Sequence, residues 1–118
     1  MPEDLGSFLP LSPANLYILF SLAAEDRHGY GIMQEVTRQS SGQYKLGPGT
    51  LYDNLQKLMT QAMVENAPRR SPDDDPRRRY YRLTAFGRRI LAAEVARLED
   101  LVREAKSHLR APTPRRAT

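Results

Sequence analysis

The chain has 118 residues, no Cys and a net charge of +4, which predicts one domain with an ordinary hydrophobic core and excludes disulfide scaffolds, thiolate zinc sites and thiol nucleophiles. No apolar run approaches the ~20 residues needed to span a bilayer, and Glu3 and Asp4 stand where a signal peptide would carry basic residues. A basic, cytoplasmic protein with no membrane partner is the expectation.

Residues 1–11 show no period and are expected to form a flexible arm. Ser12-Pro13 reads as a helix start, because Ser caps orphan amides and Pro suits the first helical position. The run from Ala14 to Ala24 is apolar on nearly every side (Leu16, Tyr17, Ile18, Leu19, Phe20, Leu22). A helix this apolar must be buried on more than one face, with the core on one side and a partner chain on another. Glu25 to Gly29 reads as a turn. A second helix is expected from Tyr30 to Gln39, with Tyr30, Ile32, Met33 and Val36 inward.

Pro48 and Gly49 open a third helix that is expected to end near Ala62. Leu51, Leu55, Leu58, Met59 and Ala62 form its buried stripe. Thr50, Asp53, Asn54 and Lys57 form the opposite, polar face, with Tyr52 and Gln56 at its edge. Met63 to Ala67 and Arg78 to Leu83 read as two strands, and the Pro-, Arg- and Asp-rich segment between them as an exposed loop. Together they make a hairpin with a basic tip. Thr84 caps a last helix running to about Leu109. Its apolar positions Leu91, Val95, Leu98, Val102, Ala105 and Leu109 alternate in steps of four and three, a heptad seam that calls for a partner helix. At 1.5 Å per residue this helix is roughly 37 Å long, against a radius of gyration near ~13 Å for a compact body of this size, so it should protrude. Residues 110–118 are expected to be a disordered tail.

The fold class is therefore mainly α with a small β-hairpin: a winged helix-turn-helix over residues 12–84 and a long dimerisation helix over 85–109. In a winged helix the third helix enters the major groove and the wing touches the backbone or minor groove. The charge agrees, since residues 38–90 carry eleven bases and five acids, net +6, a field that draws polyanions. Catalytic signatures are missing: there is no nucleophile elbow with Ser-His-Asp order, no phosphate-binding loop and no HExxH. His28 and His108 lack metal-ligand spacing. No enzyme activity, cofactor or metal is expected, and His28 is read as a structural residue in a turn.

Three segments then carry a family resemblance. His28-Gly29-Tyr30-Gly31-Ile32, Leu46-Gly47-Pro48-Gly49-Thr50-Leu51-Tyr52 and Arg79-Tyr80-Tyr81-Arg82-Leu83-Thr84-Ala85-Phe86-Gly87-Arg88 resemble the PadR family of transcriptional regulators, in its small subclass with a single C-terminal helix. The resemblance covers residue 12 to about 106. It implies a homodimer whose last helix exchanges with the partner, repression from palindromic double-stranded DNA, and in some members release by phenolic acids or drugs. The chain departs from the pattern at Ala62, where Gly is common, and at Asp53, where Pro or Gly is common. It also lacks the Trp of drug-binding members.

The candidate DNA-binding residues are Lys45, Gly49, Thr50, Tyr52, Asn54, Lys57, Arg77, Arg78 and Arg79. Asn54 can pair with adenine, and Lys57 with guanine or phosphate. Thr50 is read either as a phosphate donor or, with Asp53, as a capping box. Tyr52 either reaches phosphate or lies half-buried. Lys45 and Gly49 flank a helix N-terminus that can hold phosphate through its amides. Arg77 to Arg79 can enter a minor groove or pair with phosphate, or the Asp73-Asp74-Asp75 run can neutralise them; Arg69 and Arg70 stay open. Tyr30, Tyr81 and Phe86 are assigned to the core. The candidate dimerisation residues are Tyr17, Phe20, Leu91, Val95, Leu98, Val102 and Ala105. Tyr17 and Phe20 with Leu91, Val95 and Leu98 either pack the dimer or line a pocket for a small aromatic or hydrophobic effector. The alternative function is a winged-helix protein-interaction or ligand-sensing module without specific DNA binding.

Overall fold

A computed structural model of the protein describes residues 4–110. After a 3-10 turn at Leu5–Phe8 come α1 (Pro13–Ser21), β1 (Arg27–His28), α2 (Gly29–Gln39), α3 (Pro48–Thr60), β2 (Val64–Ala67), β3 (Tyr80–Leu83) and α4 (Ala85–Arg110). The strands form one antiparallel sheet in the order β1-β3-β2. Helices α1, α2 and α3 pack on one another around Ile18, Leu19, Ile32, Val36, Leu51, Leu55 and Leu58, all at most 1% exposed. Each such side chain contributes about 1.5–3 kcal/mol on leaving water.

The start signals behave as their chemistry dictates. Ser12 accepts from the Asn15 amide at the head of α1. Thr84 accepts from the Gly87 amide at the head of α4. His28 caps α2, its Nδ1 accepting from the Gly31 amide at 3.1 Å.

Four expectations need correction. The turn after α1 contains β1, which pairs Arg27 with Tyr81 and His28 with Tyr80. The expected hairpin of β2 and β3 is present, and β1 makes β3 the central strand of three, with both Tyr80 and Tyr81 buried. Tyr30 is 60% exposed and lies outside the core; it stands on the first turn of α2, one residue after buried Gly29 and two before buried Ile32. Thr50 and Asp53 do not form a capping box, because α3 begins two residues earlier, at Pro48, with Gly47 as a cap that offers no side chain.

The fourth correction concerns the N-terminal arm. Residues 5–11 lie on the body: Phe8 meets Phe86 edge to face at 5.5 Å, and the Leu11 amide donates to Glu94 at 3.0 Å. Leu5, Phe8, Leu9 and Leu11 have no period, but they supply enough apolar surface to hold the segment against the core. Glu94 is 1% exposed and accepts twice from Arg97, at 2.6 and 3.0 Å. The Arg97 bonds outweigh burial and, with the Leu11 amide, hold its carboxyl below the usual carboxylate range. Residues 1–3 of the expected arm and 111–118 of the expected tail lie outside the described residues; Arg110 closes α4.

Helix α3 ends in a left-handed residue. Gln61 is the C-cap, Ala62 has φ 64°, its amide donates to Met59, and the Met63 amide reaches back to Leu58. This 6→1 and 5→2 pair of bonds is the Schellman arrangement, which favours Gly because a Cβ crowds the following carbonyl. Ala62 does not lengthen α3; it accepts the strain instead. Ala62→Gly should therefore stabilise the protein by about 1 kcal/mol, a rise of roughly 4 °C in Tm by differential scanning calorimetry. A fall in Tm would show that the left-handed turn is not strained.

The same turn is stitched to α4. Thr84 donates its hydroxyl to the Ala62 carbonyl at 2.6 Å and its amide to the Met63 carbonyl at 3.0 Å. Gly87 faces the same carbonyl: a methyl there would overlap the Met63 oxygen and come within 2.9 Å of both Met63 C and Leu83 Cδ1. The end of α3 and the start of α4 therefore touch backbone to backbone.

Candidate nucleic-acid interface

Helix α3 presents its outward face as a direct result of its buried stripe. With Leu51, Leu55 and Leu58 inward, Gly49, Thr50, Asp53, Gln56 and Lys57 are exposed. Asn54 shares this face with Thr50 and Lys57 but is half-buried, its side-chain amide donating to the Thr50 carbonyl at 2.8 Å. Gln56, placed at the edge by sequence together with Tyr52, is exposed beside it. Lys45 is exposed in the connection leading into α3.

Tyr52 leans toward the start of α2. Its ring closes over Gly29, where a Cβ would come within 2.9 Å of Tyr52 Cζ. A hollow of about 280 Å³ opens there, lined by His28, Gly29, Tyr30, Tyr52, Arg77, Arg78, Arg79 and Tyr81. On the other flank of Tyr52 a second hollow of about 350 Å³ adds Gln56 from α3 and Asn66 from β2. The structure thus brings Tyr52 together with all three wing arginines, and leaves Lys45 and Asn54 apart from them.

The wing arginines are not equivalent. Arg77 is paired with Asp75 at 3.1 Å, and this ion pair holds the Asp75 carboxyl below its ordinary range. Arg70 pairs with Glu25 and Arg82 with Glu65. Tyr80 donates to Asp74 at 2.9 Å. The acidic loop therefore neutralises part of the wing. Among the described residues, no carboxylate lies within salt-bridge distance of Arg78, Arg79, Lys45 or Lys57. These exposed cations stay open to an anion, Arg78 within the field of Asp75. His28 faces Arg78 across 3.4 Å; burial, and then the Arg78 charge, push its pKa down.

Two residues at this face, His28 and Tyr30, were assigned structural roles from the sequence. The signal that could have found them is the His-Gly-Tyr-Gly run itself, since two Gly beside an aromatic and a His open the backbone to a close approach.

The second face of interest lies on α4. Leu91 is only 8% exposed and belongs to the core of its own chain, which corrects its place in the seam. Beyond it, Val95, Val102 and Leu109 stand 43%, 49% and 83% exposed, with Leu98 half-buried and Ala105 exposed. Val95, Leu98 and Val102 line an open groove of about 440 Å³ edged by Glu99, Arg103 and Lys106. Tyr17, Phe20, Leu91, Val95 and Leu98 meet, as expected, around a hollow of about 270 Å³ between α1 and α4. Tyr17 is stacked there on Tyr44 with centroids 5.1 Å apart.

Comparison with known proteins places this geometry. The chain is 36% identical over 89 residues to the transcriptional regulator Rv3488 of Mycobacterium tuberculosis, covering 75% of this chain and 78% of that one. A PadR family transcription regulator from Clostridium difficile superposes with a TM-score of 0.70 at 20% identity, covering 83% of this chain and 99% of that one. A PadR-like transcriptional regulator from Bacillus cereus gives 0.69 at 18% identity, covering 92% and 97%. The last two likenesses are of fold, with the same winged helix and long final helix. Residues 18–93 match the transcriptional regulator PadR-like family, and the chain belongs to that family.

Proposed function

We propose that this protein is a homodimeric repressor that reads an inverted repeat in double-stranded DNA. In this reading residues 12–84 bind DNA and 85–109 join the two chains. One observation carries it: Tyr52 and Gln56 of α3 share surface hollows with the wing arginines Arg78 and Arg79. With α3 in the major groove, Gln56 and Lys57 meet base edges or phosphate, and Arg78 and Arg79 meet the backbone or the minor groove. The unpartnered α4 groove supports the two-fold pairing, and a two-fold dimer presents its recognition helices about one DNA turn apart. The hollow between α1 and α4 suits a small aromatic or hydrophobic effector, which would release DNA by favouring a different spacing. Asp53 on the outward face and the acidic wing loop favour a second reading, a module that docks a protein.

The test is a titration against the protein's own upstream region and a scrambled duplex at two salt concentrations. Preference for the upstream duplex that persists near physiological salt is expected. Lys57→Glu combined with Arg79→Glu should cost at least about 100-fold in affinity, since each removes a contact and adds repulsion. Equal binding to both duplexes, falling by roughly 10³ between 50 and 200 mM salt, would leave only phosphate attraction and favour the docking module.

A further inference from the structure

The hollow under the wing holds two hydrogen-bond donors side by side, on His28 and Arg78. The Gly31 amide donates to Nδ1 of His28. A ring nitrogen that accepts is unprotonated, so the neutral imidazole carries its proton on Nε2. That Nε2 lies 3.4 Å from Nη1 of Arg78, an atom that can only donate. Neither can bond to the other, and both can bond to one shared acceptor. The ring is held in this pose by the Gly31 bond, by an edge contact to Tyr80 at 5.3 Å, and by the pairing that sets His28 opposite Tyr80. Arg79 and the Tyr52 ring line the same hollow. A group that only accepts, carries negative charge and arrives alongside α3 is a phosphate diester.

We infer that His28 Nε2 and Arg78 together clamp one backbone phosphate of bound DNA in the hollow between the start of α2 and the wing. The inference rests on the DNA-binding reading above and adds to it a phosphate contact made from outside the recognition helix. Such a contact fixes register and carries no sequence information.

The clamp uses the neutral ring, because a proton on Nδ1 would end the bond from the Gly31 amide. Burial, and then the Arg78 charge, favour that neutral form by pushing the His28 pKa below its ordinary value.

His28→Asn tests the clamp, because Asn caps a helix well but has no Nε2. Its affinity for the upstream and scrambled duplexes should fall equally, by about five- to tenfold, at unchanged Tm. Arg78→Gln should reduce the salt slope by about one. Wild-type affinity in His28→Asn would make His28 a cap alone and overturn the clamp while the DNA-binding reading stands. A loss confined to the upstream duplex would overturn it too, because base readout would then be the cause. A wild-type protein that binds neither duplex would overturn the clamp together with the reading beneath it.

Discussion

Leu98→Glu should break the proposed dimer and leave a monomer, with a mass of 13.4 kDa in solution by light scattering. Leu98 borders both the open groove of α4 and the apolar hollow against α1, so it sits where a partner helix would pack. In a two-fold dimer every residue of the seam is buried twice. Replacing one seam leucine loses about 1.5–3 kcal/mol per chain, and placing a carboxylate there adds an unpaired buried charge in each. A weakening of dimerisation by at least about 10³-fold follows. Operator binding falls with it, because a monomer loses the gain from holding two half-sites at once. The core of the chain is untouched, since Ile18, Leu51 and Ile90 lie elsewhere, so the far-UV circular dichroism of the monomer should still show its helices. An intact dimer would show that the chains meet on some other face.

Gly87→Ala should be the most damaging Gly→Ala change among the described glycines. The new carbon would overlap the Met63 carbonyl oxygen, which is fixed by the Thr84 amide and cannot rotate away. Helix α4 would have to move off the sheet. Overpacking against backbone costs about 3 kcal/mol, a large part of the ~5–15 kcal/mol that keeps a domain folded. Tm should drop by roughly 10 °C. Gly49→Ala is the matched control: a Cβ at Gly49 meets nothing within 4 Å, and Ala is the better residue inside a helix by about 0.5–1 kcal/mol. Equal stability changes for the two variants would sink the packing argument.

How far the sequence carried depends on where the information sits. Ser12-Pro13, Thr84 and the heptad spacing of Val95 to Leu109 are local signals, and the structure places helix starts and a largely exposed apolar stripe there. β1 was hidden because two residues carry no pattern; β3 creates it by pairing. Tyr30 was misassigned because an aromatic at a helix start can point either way, and burial of Gly29 and Ile32 turns it outward. Phe8 and Leu11 looked loose because anchoring by scattered apolar contacts and a distant carboxylate, Glu94, has no period. The wing shows the same limit. Its three arginines are neighbours in sequence, but only folding shows that Asp75 occupies Arg77 and that Arg78 stands beside His28.

The stitch between Ala62–Met63 and Thr84–Gly87 also acts as a fulcrum. Because backbone meets backbone there, α4 cannot bend at its root and behaves as a rigid lever. Its 26 residues reach about 39 Å. A tilt of about 5° over that length displaces one end against the other by about 3 Å, close to the 3.4 Å step between base pairs. In the proposed dimer, a small change of angle at the seam would thereby become a shift of about one base step at the proposed recognition helix.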